Sequence, residues 1–240
     1  NVAGTLNVMN LAKTLEVPKI IYCSSTSALG ETGNEVAAES FTHSKKFTSH
    51  YEYTKWLAHQ KVVEMAKNGL PVVIAMPSAV FGPQGSGPLG EFFASYVSRK
   101  IPAILGSGET RFSMVYVDDV VNGLIAAFEK GKNGEQYVFS DTAVSWNGLC
   151  RKLEALTSIP QPTWRVPIHV ALALGYAFDA ISIFTKTKPL VTSEAVRFVE
   201  KNWVYSSNKA KKELNWTTTP FERALINTIG WYLLNYRPQK

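Results

Sequence analysis

Two cysteines and four histidines are too scattered to form a metal-ligand spacing in this 240-residue chain. Cys23 and Cys150 stand alone, and His43, His50, His59 and His169 fall into no ligand spacing with them or with each other. No metal is therefore expected. Cys23 lies inside an apolar, strand-like run, so both thiols read as buried and reduced, as suits a cytoplasmic protein. The chain has no low-complexity tract and no internal repeat, which excludes a repeat architecture. It also lacks a clean membrane span. Segment 168–184 is apolar on most sides, but a span needs about 20 apolar residues, and Asp179 interrupts this one. A buried or substrate-covering helix is the reading, with peripheral membrane contact left open. The net charge of +6 lacks the clustering and interleaved aromatics of a nucleic-acid surface. Its densest group, Lys209, Lys211 and Lys212, sits beside Glu213 and reads as a solvated face.

The sequence does not open on methionine. Asn1–Lys13 already carries a helical pattern, with Val2, Leu6, Met9 and Ala12 near one face, so the chain reads as beginning in mid-domain. What is present supports a sizeable core: 45% of the residues are hydrophobic and 12% aromatic. The pattern predicts a helix to about residue 15, a strand over 18–25 and a polar loop over 30–48. A long helix over about 50–67 follows, stopped by Asn68-Gly69, and then a strand over 71–77. Further on come a helix over about 89–99, strands near 102–105, 112–117 and 135–140, a helix opened by Asp118-Asp119, and a mostly helical remainder with an extended stretch near 162–166. Helices alternating with near-continuous apolar strands argue for an α/β protein with a parallel sheet covered on both faces.

The chemistry concentrates in three pieces. Lys19-Ile-Ile-Tyr-Cys-Ser-Ser25 reads as a strand ending in hydroxyls, Tyr51-Glu-Tyr-Thr-Lys55 as a helix with a phenol and an amine one turn apart, and Met76-Pro-Ser-Ala-Val-Phe-Gly-Pro83 as a second strand with a turn. Tyr-x-x-x-Lys occurs four times, so context decides. Tyr236/Lys240 surrounds Pro238, Tyr205 precedes a helix cap, and Lys100 closes a helix before Pro102. Only Tyr51 and Lys55 continue along an inward stripe, through Ala58, Val62 and Met65, with Glu52, His59, Gln60 and Lys67 mostly elsewhere. A salt-bridged or snorkelling Lys55 is the structural alternative. The chemical reading is a general acid/base: an ammonium beside a phenol stabilises the phenolate and brings proton transfer toward neutral pH. Ser25, at the carboxyl end of the neighbouring strand, is placed to hydrogen-bond a substrate oxygen, with Ser24 and Thr26 as runners-up.

At these residues the chain resembles the extended short-chain dehydrogenase/reductase family, within the NAD-dependent epimerase/dehydratase superfamily. Six pieces carry the resemblance in family order: Asn1-Val-Ala-Gly-Thr-Leu-Asn7, Cys23–Gly30, Tyr51/Lys55, Pro77–Pro83, Phe112–Asp119 and Lys209–Trp216. Ala28-Leu29-Gly30 and Met76-Pro77 depart from the sugar-nucleotide enzymes and are closer to the dihydroflavonol-reductase-like and farnesol-dehydrogenase-like branch. The resemblance implies NAD or NADP as cofactor and Ser25, Tyr51 and Lys55 as catalytic, with Asn1 matching a proton-relay asparagine. It implies cofactor contacts from Ser24, Tyr51, Lys55, Pro77, Ser78, Ala79 and Val80, and substrate contacts from Thr26, Phe81 and Arg111. It implies the C-terminal part of a Rossmann-like parallel sheet (1–83 and 115–145) with a mostly helical substrate lobe (84–114 and 146–240). The partner it implies is a small molecule, and a homodimer through the 50–67 helix is what it suggests. Its Gly-x-x-Gly-x-x-Gly fingerprint is expected before Asn1. Gly85-Ser-Gly-Pro-Leu-Gly90 imitates a dinucleotide fingerprint, but Pro88 removes an N–H where one is wanted, so a flexible loop at the substrate mouth is expected instead. The function expected is hydride transfer between nicotinamide and an apolar alcohol, ketone or aldehyde. The alternatives are a sugar-nucleotide epimerase or dehydratase and a non-catalytic cofactor-binding protein or inactive fragment.

Overall fold

The computed structural model describes residues 1–187, 189 and 191–236. Helix α1 (Val2–Thr14) leads into β1 (Ile20–Cys23), and a single 3-10 turn (Thr26–Ala28) precedes α2 (His50–Lys67). Ser49 caps α2, its Oγ accepting the Glu52 N–H at 3.0 Å. Strand β2 (Val72–Pro77) is buried at every position and runs almost directly into β3 (Ala79–Phe81). Then come α3 (Pro88–Val97), β4 (Ala103–Leu105), β5 (Arg111–Tyr116), α4 (Val117–Lys130), β6 (Gln136–Phe139) and β7 (Thr142–Ser145). The C-terminal part holds α5 (Trp146–Thr157), β8 (Trp164–Val166), α6 (Ile168–Thr185), α7 (Ser193–Val199), α8 (Asn208–Leu214) and α9 (Phe221–Asn235).

The first sheet has the order β1-β2-β6, all parallel, and the second the order β3-β5-β7, with β3 and β5 parallel and β5 and β7 antiparallel. Strands β4 and β8 form a small parallel pair. The two larger sheets are joined at a fork. Pro77 pairs with Phe139 at the carboxyl ends of β2 and β6, and one residue later the chain leaves through Ser78 and Ser140 toward the second sheet. Such carboxyl ends are where open α/β sheets bind ligands. The expected α/β architecture with parallel strands is therefore present. β3 and β7 were not anticipated, because three- and four-residue strands one or two residues beyond another strand leave no periodicity of their own.

The core forms one large cluster that includes Val62, Ile74, Met76, Phe93 and Leu149, and a second on the α4 and α8 side around Val73, Tyr137, Phe139 and Trp216. Three expectations need correction. Cys23, read as buried, is exposed, because it ends β1 on an edge with no second strand beside it among the described residues. Segment 168–184 is not a buried helix: α6 exposes Ile183 and Phe184 at 75% and 84%. The Gly85–Gly90 loop is held in place. Tyr232 Oη donates to the Gly85 carbonyl at 3.0 Å, and a Cβ on Gly90 would collide with that same carbonyl oxygen. Pro88 opens α3, and Gly85 and Gly90 serve close packing against Tyr232 of α9.

Candidate active site

Tyr51 lies in the first turn of α2 and Lys55 one turn on. The Lys55 Nζ sits 5.8 Å from the centroid of the Tyr51 ring. Tyr51 is 50% exposed and Lys55 half-buried. Neither the Tyr51 phenol nor the Lys55 ammonium has a hydrogen-bond partner among the described residues, so both keep their full capacity for a ligand. Lys55 also faces the end of β1: desolvation raises the Cys23 thiol pKa and the Lys55 ammonium opposes it. The 3-10 turn after β1 packs against α2, which brings Ser25 to the same end of the sheet. Ser25 caps that turn, its Oγ accepting the Ser27 N–H at 3.1 Å. Its own O–H has no partner among the described residues. Asn1 reaches the helix from the other side and donates through Nδ2 to Thr54 Oγ1 at 2.9 Å.

The inward arc of α2 differs from the stripe expected. Ala58 and Val62 are buried, but so are Glu52 and His59, at 1% and 3% exposure. Periodicity sends polar residues outward unless partners wait inside, and here they do. Glu52 Oε2 accepts from the Thr48 N–H (2.6 Å) and the Thr48 hydroxyl (2.7 Å). Lys45 N–H donates to His43 Nδ1 at 2.7 Å, which leaves the proton on Nε2, and Nε2–H donates to Glu52 Oε1 at 3.0 Å. The loop before α2 is thereby clasped to the residue next to Tyr51. His59 Nδ1 lies 3.0 Å from Ser24 Oγ. Burial pushes the His59 pKa down to about 4, with the Gln136 side chain opposing, so the ring is neutral and shares one hydrogen bond with the Ser24 hydroxyl. The Ser24 hydroxyl is engaged with buried His59, while Ser25 stands beside it with a donor that no described residue takes up.

At the fork, the hydroxyls of Ser78 and Ser140 are buried and unpartnered among the described residues. Backbone bonds fix both positions: Ser78 N–H donates to the Phe139 carbonyl (2.9 Å), and Ser207 Oγ donates to the Ser140 carbonyl (2.6 Å). Ser140 escaped the sequence reading, although it ends an apolar strand with a hydroxyl, as Ser25 and Ser78 do. Pro77 is buried, Ala79 half-buried and Val80 exposed. The expected substrate contacts are dispersed. Thr26 is buried close to the Tyr205 phenol. Phe81 is 3% exposed, inside an aromatic cluster with Phe93, Tyr116 and Phe221. Arg111 is exposed at the start of β5, where its guanidinium donates to the Ala143 carbonyl at 3.3 Å. Two rival Tyr-x-x-x-Lys tyrosines are structural. Tyr96 donates to the Ile159 carbonyl at 2.8 Å and Tyr205 to the Gly30 carbonyl at 2.7 Å, and burial raises both pKa values. Lys240 lies outside the described residues.

The chain is 26% identical to "Putative dihydroflavonol 4-reductase" of Synechocystis sp., over 97% of its own length and 69% of that protein's. It is 25% identical to sterol demethylase protein B of Methylococcus capsulatus, over 97% of this chain and 71% of that one. The crystal structure of gox2253 superposes with a TM-score of 0.81 at 30% identity, covering all of this chain and 73% of the other. Residues 1–139 match the NAD dependent epimerase/dehydratase family, and the chain belongs to that family.

Proposed function

We propose that the protein is an NAD(P)-dependent oxidoreductase acting on a rather apolar alcohol, ketone or aldehyde. The observation that carries the reading is the open Tyr51 phenol with the Lys55 ammonium 5.8 Å from its ring, at the carboxyl end of a parallel sheet. The family name supplies the cofactor class, and the reductase and sterol-enzyme relatives support an apolar substrate.

The fork fits the nicotinamide end of such a cofactor, because a buried hydroxyl without a partner, as at Ser78, is a group that a ligand amide can satisfy. Pro77, Ala79 and Val80 would border it. Gly85 and Gly90 are committed to packing against α9 rather than to a phosphate. When bound, the nicotinamide supplies or accepts the hydride. The protein moves the proton. In reduction, Tyr51 Oη donates its proton to the substrate oxygen as the carbonyl becomes an alcohol. In oxidation it takes that proton back. Lys55 stabilises the phenolate that the donation leaves, and the Ser25 O–H donates to the same substrate oxygen. Residues 1–83 and 115–145 would serve the cofactor, and 84–114 with 146–240 the substrate.

The family also contains epimerases and dehydratases, which gives a second reading, a sugar-nucleotide epimerase that returns the hydride within one turnover. Absorbance of the reduced nicotinamide decides between them. The complete natural chain is incubated with a panel of apolar secondary alcohols and ketones and, separately, with nucleotide sugars. Net oxidation or reduction of the cofactor with the apolar panel supports the proposal. Sugar epimers formed without net redox change support the alternative, and no turnover on either panel removes both.

A further inference from the structure

Helix α6 has an outer face that nothing among the described residues covers. Val170, Leu174, Ala177, Ile181 and Phe184 are exposed and follow one another by steps of four, three, four and three residues. They form one apolar stripe about 21 Å long at the α-helical rise. The opposite face is docked. A Cβ on Gly175 would meet the Ser193 nitrogen at 2.8 Å, and the Tyr176 phenol accepts from Arg197 at 2.9 Å. Asp179 is the only acid in the helix, and it is turned inward, accepting the Ser193 N–H at 3.0 Å. The fold thus removes the one charge that interrupts the apolar sequence.

Two occupants suit a stripe of this spacing: a second copy of the chain, as in a helix seam, or a lipid surface. A seam is flanked by charged residues that set register and partner. Here the flanking exposed positions are Ala173, Ala180 and Ile183 together with His169, Tyr176 and Thr185, and none of them is a Lys, Arg, Asp or Glu. The surface is broader than a seam and carries nothing to fix a register, which a bilayer does not require. Charge points the same way. Lys186 closes the helix in an exposed position. The exposed Lys45 and Lys46 belong to the 43–48 loop, which Arg197 ties to this lobe through the Thr48 carbonyl (2.8 Å). Trp164, 78% exposed just before the helix, is the side chain that favours the headgroup level.

We propose that α6 is a membrane-docking helix that lies in the plane of an anionic bilayer, with its Val170–Phe184 stripe immersed at the headgroup–acyl boundary. The inference stands independently of the catalytic reading. Flotation with phosphatidylcholine vesicles, with and without phosphatidylglycerol, tests it on the complete natural chain. The protein is expected to float with the anionic vesicles. Phe184→Ser combined with Ile181→Ser should lower the partition coefficient at least about tenfold, whereas Ile125→Ser, on an exposed apolar site of α4, should leave it unchanged. Failure of the parent to float overturns the proposal, as does flotation unaffected by the α6 substitutions. A parent that stays off vesicles but sediments as a dimer dissociated by Phe184→Ser assigns the stripe to a second copy instead.

Discussion

His59→Asn should remove a defined part of the acid sensitivity of folding. The His59 ring is held neutral in the folded protein, with its pKa lowered from 6.5 to about 4 chiefly by burial. In the unfolded chain it protonates near 6.5. Between those values the unfolded state binds the extra proton, so stability is full above pH 6.5 and declines as pH falls toward 4. Linkage over this interval gives a loss of about 2.5 kcal/mol between pH 7.5 and 4.5 from this one group. That is a large share of the 5–15 kcal/mol typical of a domain. Asparagine keeps an acceptor near the Nδ1 position, so the Ser24 hydroxyl retains a partner, but it does not titrate. Urea unfolding of parent and variant at both pH values is the assay, because the carboxylates common to both proteins cancel in the difference. The parent should lose about 2.5 kcal/mol more than His59→Asn. An identical pH dependence in the two proteins would refute a buried neutral ring.

Three further outcomes follow from the same geometry. Glu52→Ala strands the Thr48 N–H, the Thr48 hydroxyl and His43 Nε2 in the interior; urea denaturation should show a loss of about 3 kcal/mol, and Glu52→Gln a smaller one. Gly30 has φ +88°, and a Cβ there would sit 2.9 Å from His43 Cδ2, so Gly30→Ala should cost at least about 1 kcal/mol by the same assay. Ser78→Ala removes a buried hydroxyl that no described residue satisfies. It should leave unfolding stability within about 0.5 kcal/mol of the parent while weakening dinucleotide affinity about fivefold in calorimetric titration.

Much of the scaffold was legible because its signals are local. The apolar runs of β1, β2 and β6, the Asn68-Gly69 stop of α2 and the acidic first turn of α4 each announce an element within a few residues. The pairing of Tyr51 with Lys55 was legible for the same reason, since one helical turn fixes their proximity. What was missed depends on distant partners. Glu52 is buried because Thr48 and His43 reach it, and His59 because Ser24, 35 residues earlier, lies against it. A helix that is apolar all round, such as α6, carries no periodic cue to which face is covered. Phe81 was drawn toward the substrate by its place beside the cofactor segment, yet Phe93, Tyr116 and Phe221 claim its ring for the core.

The central claim is that the Tyr51 phenol carries the proton in a hydride-transfer reaction. Steady-state kinetics of Tyr51→Phe, beside the parent and with the dinucleotide affinity of both measured, test it most directly. The account predicts that kcat/KM falls about a hundredfold to ten-thousandfold while dinucleotide affinity is unchanged. A phenylalanine variant that turns over the same substrate as fast as the parent contradicts it.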